Sequence, residues 1–335
     1  MIYSIVLEDK VIKGAGSIYT EKEFKKVGTH DGRFHADEVI ATAILKEIFE
    51  VELTRTRNED ILSKIDIVYD VGGGELDHHG NNKVYREDGT PYAACGLIWN
   101  KFGKEVIKFK DPKLDENEVE SVFSYIDRNF IEGVDALDNG IWIDKTDIPL
   151  VHMSSIISGF NPLWNSDKDE NEAFNEAVEF SGAILRNTLN QRFSVLKSKE
   201  QVVRAFKKRK NPQLLVLDRY CPYSEALREA DEKREVLFVI YPRKDSYAMQ
   251  SVRGENSQDK KKLPKEWAGL RDEELASVTG VSDAVFCHTG RFIAVAQSLE
   301  GIMKLAELAV NYKEDEESKP KGIFELIKNM FKKTK

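Results

Sequence analysis

Short apolar strands alternate with amphipathic helices in this chain from Lys26 onward, and this alternation constrains the fold more than any other feature. The segment "VGTH" has the pattern of a strand end, and the helical pattern from Asp37 to Phe49 places Ile40, Ile44 and Ile48 on one stripe. The next predicted strand, "IDIVYD", leads into the loop "VGGGELDHHG". Because this alternation is typical of parallel sheets, we expect functional groups at the carboxyl ends of the strands.

The remaining predicted elements follow from periodicity. Helices are predicted over Ala93 to Phe102 and Glu116 to Asp138, a long amphipathic helix follows residues 161–174, and a closing helix covers Leu299 to Asn311. Three stretches, "EVLFVIYPR", "YAMQSVR" and "AVFCHTGRFIAVA", are each interpreted as a strand, after a first strand in "PQLLVLD".

The length of 335 residues favours two domains. We predict a first domain with an N-terminal extension over residues 1–165, a linker and connecting helix over 166–212, a smaller domain over 213–312, and a tail over 313–335. The first 24 residues are interpreted as an added strand or hairpin. The tail begins as a charged linker and ends as a short amphipathic helix, which either contacts an anionic membrane or partner, or docks weakly at the chain end.

The composition indicates a soluble globular protein. Hydrophobic residues make up 41% and charged residues 32%, and no apolar run reaches the roughly 18 to 20 residues of a membrane-spanning helix. The start "MIYSIVLEDK" lacks the basic region of a signal peptide, so a cytoplasmic location is expected. The three cysteines favour reduced, buried thiols over a disulfide framework. A formal charge of −8 argues against duplex binding by the whole surface but allows a local basic groove.

Histidines are concentrated beside acidic residues in the first domain. Four of the six histidines lie between positions 30 and 79. His30 and His35 accompany Asp31 and Asp37, and His78 and His79 follow Asp77. Asp70 ends the predicted strand "IDIVYD", so both histidine-rich segments begin at strand ends.

Imidazole and carboxylate ligands without thiolates suit Mn²⁺, Mg²⁺, Fe²⁺, Co²⁺ or Zn²⁺. There are more such donors than one cation needs. Two cations about 3.5 to 4 Å apart that share a carboxylate would use them and activate a water for in-line attack on phosphorus. Asp135 and Asp138 add candidates on one face of a helix end. Taken singly, each residue also fits a structural role as a strand-end, turn or helix-cap residue.

Six motifs occur in order across both halves of the chain, namely "VGTHDGRFHADE", "DVGGGELDHHG", "CGLIWNKFG", "VDALDNGI", "LPKEWAGLRDEELASVTG" and "VFCHTGRFIAVA". Over residues 26 to 310 they resemble the melanocyte-proliferating-gene exonuclease family of the DHH phosphoesterase superfamily. The resemblance implies an α/β fold, in which a DHH-like catalytic domain with a parallel sheet is joined by a long helix to a smaller α/β domain.

The resemblance also implies a set of metal ligands. His30, His35 and Asp70 would hold one cation, and Asp37, Asp70, His78 and Asp138 would hold the other, with Asp70 bridging and Asp135 in reserve for Asp138. His79 would face the scissile phosphate, and Asp77 would orient a histidine. Mn²⁺ is the favoured cation, with Mg²⁺ or Co²⁺ as alternatives.

The second domain is expected to hold the substrate through Arg243, Arg253, His288 and Arg291. His288 either binds phosphate or caps a loop. Lys265, Trp267 and Arg271 either stack and pair with a nucleotide, or Trp267 is a packing residue.

Several positions depart from the family pattern. Ala294 and Val295 replace a glycine pair, Gly80 stands for a glutamine, Ala36 for a cysteine, and Tyr223 and Tyr247 for tryptophans. The metal set is retained, whereas substrate preference stays open.

The function implied is a two-metal 3′–5′ exonuclease acting on single-stranded RNA or short oligonucleotides. A small-molecule phosphatase or dinucleotide phosphodiesterase is the first alternative, and a noncatalytic metal-binding interaction protein is the second. The sequence leaves homo-oligomer formation, the cellular metal and the choice of RNA over DNA open.

Overall fold

The computed structural model describes residues 22–80, 83–142, 148–254 and 256–313. The predicted N-terminal strand or hairpin and the helix of the tail lie outside these residues, except for positions 22–24. The chain divides into two compact units, Met1–Arg192 and Phe193–Lys335. They are called the N-terminal unit and the C-terminal unit below.

The N-terminal unit contains a three-stranded parallel sheet, as predicted for this part of the chain. Its strands are β1 (Glu23–Thr29), β2 (Phe49–Arg55) and β3 (Ile67–Val68), in the order β2-β1-β3. The helix between β1 and β2, α1 (Ala36–Ile48), lies within one residue of its prediction. Phe49 begins β2 instead of ending the helix, and sequence reasoning missed β2 itself.

The strand β3 is much shorter than the predicted "IDIVYD". Asp70 adopts a left-handed backbone conformation with φ 58°, and Gly72 and Gly73 have φ values of 84° and 72°. Because a left-handed residue cannot continue a strand, the chain leaves the sheet after Val68. The two glycines make the following tight turn without steric cost.

Helices make up most of the remainder of the N-terminal unit. The N-terminal unit continues with α2 (Glu59–Leu62), α3 (Ala94–Lys110), α4 (Glu116–Ile126), α5 (Glu132–Asp138) and α6 (Met153–Ser158). The prediction of one helix over Glu116 to Asp138 was incomplete, because a π-helical turn, Asp127–Ile131, separates α4 from α5. Ile44 of α1 and Ile98 of α3 are fully buried, and Trp99 of α3 stacks on Phe123 of α4.

A 39-residue helix, α7 (Glu170–Lys208), carries the boundary between the two units. The boundary falls after Arg192, inside α7 and within the range 166–212 that the sequence assigns to a linker and connecting helix.

The C-terminal unit is built on a five-stranded mixed sheet. Its strands are β4 (Leu214–Val216), β5 (Phe238–Pro242), β6 (Tyr247–Ser251), β7 (Ala284–Cys287) and β8 (Ile293–Ala296), in the order β4-β5-β6-β8-β7. β4 and β5 are parallel, and the other pairs are antiparallel. The stretch "AVFCHTGRFIAVA" was predicted as one strand but forms β7, a turn and β8. Arg291, with φ 60°, reverses the chain in that turn.

Both faces of this second sheet are covered. The side chains of β5 alternate, so that Phe238 and Ile240 join one core cluster, and Val239 and Tyr241 join the other. The helices of this unit are α8 (Ser224–Ala230), α9 (Asp272–Thr279) and α10 (Leu299–Asn311). The prediction of α10 is confirmed at both ends.

The three cysteines are free and buried, as predicted. Within the described ranges, no helix has the length and apolarity needed to cross a membrane.

Trp267 packs in the core of the C-terminal unit, with only 4% of its surface exposed. Substitution Trp267→Ala is expected to lower the free energy of unfolding by about 3–5 kcal/mol, because it opens a cavity in this core. Urea unfolding followed by circular dichroism measures the change. Trp164, which is 97% exposed, provides the matched control, and Trp164→Ala is expected to leave stability unchanged. Equal stability of the two variants would show that Trp267 is not a packing residue.

Candidate metal centre

The side chains of the candidate centre come from the carboxyl edge of the parallel sheet and from two helix ends. His30 directly follows β1, and Asp70 follows β3, the strand next to β1. Asp37 lies in the first turn of α1, and Asp138 is the last residue of α5. Parallel strands deliver their final side chains to one edge, so residues far apart in the sequence meet there.

Asp70 lies between two histidines. Its Oδ2 is 3.3 Å from Nε2 of His30, and its Oδ1 is 3.0 Å from Nε2 of His78. Its left-handed backbone turns the carboxylate away from the strand direction, and its N–H donates to the carbonyl of Leu76 at 3.0 Å. This backbone bond ties Asp70 to the loop that carries His78.

His78 brings together a second group of carboxylates. Besides Asp70, its Nε2 lies 3.4 Å from Oδ2 of Asp37 and 3.3 Å from Oδ2 of Asp138. Side-chain exposure is 7% for His78 and 1% for Asp37. The predicted bridging position of Asp70 agrees with this arrangement, because Asp70 touches both groups.

Several polar atoms in this cluster are buried without a hydrogen-bond partner in the described part of the chain. They are Oδ1 of Asp37, Oε2 of Glu38, Oδ1 of Asp70, and both ring nitrogens of His78. The Nε2 of His78 thus lies close to three carboxylates without a well-formed hydrogen bond to any one of them. Buried polar atoms are normally paired, so their concentration here indicates a ligand that the protein atoms do not replace.

The spacing of these atoms fits a divalent cation. At a ligand distance of about 2.1 Å, neighbouring ligand atoms are about 3.0 Å apart in an octahedron and about 3.4 Å apart in a tetrahedron. The separations around His78 and Asp70 run from 3.0 to 3.4 Å. The mixed nitrogen and oxygen donors suit Mn²⁺, Mg²⁺, Fe²⁺, Co²⁺ or Zn²⁺.

Glu38 belongs to the cluster, although sequence reasoning overlooked it. It is fully buried, its Oε1 lies 3.1 Å from Nε2 of His30, and it shares two groups of closely spaced ligand atoms with predicted ligands. Its Oε1 also accepts the backbone N–H of His35 at 2.8 Å, which is the helix-capping role its position predicts. The signal in the sequence was the pair of adjacent acidic residues in "HADE", which places Glu38 next to the predicted ligand Asp37.

His35 is exposed and contributes to two groups of potential ligand atoms. One contains His30 and Glu38, and the other contains Asp37 and Asp138, with the chosen atoms of each group within 4.8 Å of one another. His35 thus lies at the open side of the cluster, where a solvent-facing ligand is expected.

His79 is 61% exposed and is held by Asp77. The Oδ1 of Asp77 accepts the backbone N–H of His79 at 3.0 Å and lies 2.9 Å from its Nδ1. Burial raises the pKa of Asp77, but hydrogen bonds from the N–H groups of His79 and Gly73 lower it more, so the net shift is downward. The carboxylate of Asp77 thus holds Nδ1 of His79, and Nε2 is the ring nitrogen that stays available to a ligand.

The loop that carries His30 is clamped from two sides. Asn161 accepts the backbone N–H of Phe34 at 3.0 Å and donates to the carbonyl of Phe34 at 2.8 Å. Arg55 donates to the carbonyl of Gly32 and packs over the rings of Phe34 and Phe174. The Nδ1 of His30 lies 2.9 Å from the carbonyl of Asp31, an arrangement that directs Nε2 toward the cluster.

Asp135, the reserve ligand, does not join the cluster. Its carboxylate pairs with Arg86 at 2.7 Å and accepts hydrogen bonds from Cys95 Sγ at 3.0 Å and the N–H of Gly96 at 3.1 Å. A Cβ at Gly96 would lie 1.9 Å from Oδ2 of Asp135, so only glycine permits this close packing of α5 on α3. Asp135 therefore positions α5, and with it Asp138.

The clustered carboxylates strongly perturb their neighbours. Burial lowers the pKa of His30 and His78, but the adjacent carboxylates outweigh it and raise both to about 10. Burial, reinforced by the charge of Asp37, raises the pKa of Asp138 to about 8. Burial and Asp37 also raise the pKa of Glu38 well above its usual value. Protons thus balance the buried negative charge when no cation is bound.

Three of the four substrate-binding candidates, namely Arg253, His288 and Arg291, lie toward one end of β6, and Arg243 lies toward the other end. Arg243 precedes the hairpin strand β6, and Arg253 follows it. Arg291 lies at the same end of β6 as Arg253. The backbone N–H of Ser251, the last residue of β6, donates to the carbonyl of Phe292, and the N–H of Leu263 donates to the carbonyl of Arg291. His288 accepts the N–H of Gly290 at 2.8 Å within the same turn.

The alternative of a stacking site at Trp267 is wrong for that residue, because its ring is buried. Arg271 packs over the ring of Phe286 instead. Lys265 lies with Trp267 in a short 3₁₀ turn. The bases of a nucleotide therefore have no access to the indole of Trp267.

Cation binding is expected to release protons. At pH 7 the imidazoles of His30 and His78 and the carboxyl of Asp138 are protonated in the metal-free protein, and ligand atoms must lose these protons. The affinity for Mn²⁺ should therefore rise with pH up to about pH 10, and most steeply below about pH 8, where Asp138 must lose its proton as well. Titration calorimetry in buffers of different ionisation enthalpy measures the released protons. An affinity independent of pH would contradict the assigned ligands.

Substitution Glu38→Gln tests the residue that sequence reasoning missed. The amide oxygen can still accept the N–H of His35, but the negative charge is lost. Mn²⁺ affinity is expected to fall by about tenfold or more, with the helical circular dichroism signal retained. Glu50→Gln, at an exposed position of β2, is the matched control. Unchanged affinity in Glu38→Gln would restrict Glu38 to helix capping.

Comparison with known proteins identifies the family. The model of the "Uncharacterised protein family (UPF0160)", with the short name MYG1_exonuc, matches residues 26–310. The MYG1 protein of Saccharomyces cerevisiae is 31% identical over 332 residues, covering 86% of this chain and 96% of the relative. The MYG1 exonuclease of Homo sapiens is 29% identical over 329 residues, covering 84% of each chain.

Two solved structures show weaker likeness. A pGpG-specific phosphodiesterase, PggH, from Vibrio cholerae has a TM-score of 0.26 and 11% identity, covering 87% of this chain and 100% of the other. RecJ from Thermus thermophilus in complex with Mg²⁺ has a TM-score of 0.28 and 9% identity, covering 86% and 50%. These scores are too low to support a conclusion. The family match over residues 26–310 and the full-length relatives show that this chain belongs to the MYG1 exonuclease family.

Proposed function

We propose that the protein is a metal-dependent phosphoesterase that hydrolyses phosphodiester bonds in RNA or short oligonucleotides, as a 3′–5′ exonuclease. The observation that carries the proposal is the buried convergence of Asp37, Asp70 and His78, which leaves Oδ1 of each aspartate and both ring nitrogens of His78 without a hydrogen-bond partner in the described chain. The names of the mammalian relatives, MYG1 exonuclease, support the reaction class. The 3′–5′ direction of cleavage is proposed only because the resemblance to the exonuclease family implies it.

The donor set divides naturally between two cations that share Asp70. His30, His35, Glu38 and Asp70 would hold one cation, and Asp37, Asp70, His78 and Asp138 would hold the other. When bound, two divalent cations, with Mn²⁺ preferred to Mg²⁺ or Co²⁺, supply positive charge for the phosphoryl group and lower the pKa of a water. The protein contributes the fixed geometry, because Asp37 and Asp138 lie on helix ends and the loops that carry His30 and His78 are held by backbone hydrogen bonds.

His79 acts at the open side of the centre. Its ring is exposed, whereas the ring of the neighbouring His78 is buried, and the two centroids are 4.2 Å apart. With Nδ1 held by Asp77, Nε2 of His79 contacts a phosphoryl oxygen or donates a proton to the leaving oxygen. Both roles need a solvent-accessible imidazole beside the metals.

Exposed tryptophans close to the centre support an oligonucleotide substrate over pyrophosphate. Trp142 is 74% exposed and lies four residues after Asp138, within about 14 Å along the chain. Trp164 is 97% exposed and lies three residues after Asn161, which clamps the His30 loop. Exposed indoles of this kind stack on bases of a single strand without sequence preference.

A basic side chain lies beside the centre as well. Lys83 is exposed and donates to the side chain of Asn139, next to Asp138, at 2.8 Å. Its charge favours the approach of a phosphate chain to a site lined with carboxylates.

The decisive assay compares end-labelled RNA, DNA, dinucleotides and pyrophosphate with Mn²⁺-loaded protein. A ladder that shortens from the 3′ end of RNA is the expected result. Substitution Asp70→Asn should reduce turnover by more than about a hundredfold, since it removes the shared carboxylate. The fold should persist, because asparagine tolerates the left-handed conformation of residue 70.

The matched control for this assay is Asp60→Asn, an exposed position in α2 of the same unit. It should keep full activity. Turnover of dinucleotides alone would favour the dinucleotide phosphodiesterase alternative. Full activity of Asp70→Asn with Mn²⁺ would refute the site, and no turnover of any substrate by the unsubstituted protein would favour the noncatalytic alternative.

A further inference from the structure

A pocket in the C-terminal unit, outside the metal centre, is lined mainly by basic residues. Its volume is about 610 Å³, within the range of small-ligand sites. The described charged residues that line it are Arg228, Asp231, Arg234, Arg253 and Lys260. Four of these five side chains are cationic, in a protein whose formal charge is −8.

Among the described lining residues, Asp231 is the one acid, and it offsets one of the four cations. Asp231 is only 2% exposed, and its carboxylate accepts the backbone N–H groups of Glu235 at 3.0 Å and Val236 at 2.9 Å. Its Oδ2 also lies 3.8 Å from Nζ of Lys260, so Asp231 pairs with a cation of the pocket wall and leaves the charges of Arg228 and Arg253 uncompensated.

Two of the cations build the pocket wall. Lys260 donates to the carbonyls of Arg234 and Val236, at 2.9 Å each. Arg234 has a left-handed backbone with φ 56°, and its guanidinium donates to the carbonyls of Arg228 and Asp231. These bonds hold the wall in place before any ligand arrives.

The other two cations are available to a ligand. Arg228 and Arg253 are exposed, and their guanidinium groups make no hydrogen bond or ion pair with any described residue. Guanidinium groups bind phosphate through paired N–H donors. Leu227 and Val252, which also line the pocket, provide an apolar surface beside them.

We propose that this pocket binds a nucleoside monophosphate unit, with its phosphate on Arg228 and Arg253 and its base or sugar against Leu227 and Val252. The identity of the ligand rests on the proposed function, whereas the anion preference rests on the pocket itself. The unit is either the released mononucleotide or one nucleotide of the bound single strand, and these sources share the same chemistry.

The test measures binding to metal-free Asp70→Asn protein, so that hydrolysis cannot interfere. The probes are AMP by titration calorimetry and a fluorescent oligoadenylate by anisotropy. Arg228→Gln and Arg253→Gln are expected to weaken binding by about tenfold to a hundredfold, the loss typical of a charge-assisted hydrogen bond. Lys244→Gln, at an exposed position in the turn before β6, is the matched control and should bind normally.

Weaker AMP binding in the two arginine variants assigns the pocket to the released product, and weaker binding of oligoadenylate alone assigns it to the strand. Either result supports the proposal. Unchanged binding of both probes, or no binding of either probe before substitution, overturns it. The hydrolysis assay with an intact Asp70 is a separate measurement, so this failure leaves the proposed function standing.

Discussion

Buried carboxylates placed next to one another are the constraint on which the rest of the molecule depends. Asp37, Glu38 and Asp70 are almost completely inaccessible to solvent and lie close enough to share ligand atoms of one site. Like charges in a medium of low dielectric repel strongly, so positive charge must compensate them. In the metal-free protein the imidazolium groups of His30 and His78 provide it, since their pKa values are raised to about 10. Divalent cations compensate the negative charge more effectively, because each carries two positive charges. A cation can also bind the carboxylate oxygens and ring nitrogens that have no hydrogen-bond partner.

Such a cluster stays assembled only if the surrounding scaffold resists its repulsion. Asn161 forms hydrogen bonds with the backbone N–H and carbonyl of Phe34, in the loop that carries His30. Asp135 of α5 pairs with Arg86 and accepts the N–H of Gly96 in α3, which fixes α5 against α3. These residues touch no candidate cation, yet they fix the helix and loop that carry the ligands. The π-helical turn before α5 belongs to the same arrangement, because Asp127 within it shares Arg86 with Asp135. These contacts orient the short helix α5 so that the carboxylate of its last residue, Asp138, lies 3.3 Å from Nε2 of His78.

The sequence predicted those features that depend on local pattern. The helices α1 and α10 have clear apolar stripes, and the parallel sheet follows from strand and helix alternation. The strand β2 was missed because it begins directly where α1 ends, with no turn residue between them, and its side chains are only partly buried. Glu38 was missed because an acidic residue in the first turn of a helix is fully explained by helix capping. Its carboxylate does cap α1, and it also lies beside His30 in the metal centre. The turn that splits "AVFCHTGRFIAVA" depends on the left-handed conformation of Arg291, which is not an intrinsic preference of arginine.

A centre of this kind cannot by itself select a substrate, because cations and carboxylates act on the phosphoryl group that all phosphoesters share. Discrimination must come from side chains that meet the parts of the substrate beyond that group. Under the proposed function, the exposed tryptophans after Asp138 and Asn161 would stack on bases of the substrate. Pyrophosphate has no base for such a contact, whereas every nucleotide of a single strand has one. The departures from the family pattern at Ala294 and Val295, both buried in β8, leave this set of exposed side chains intact, since neither residue reaches the surface.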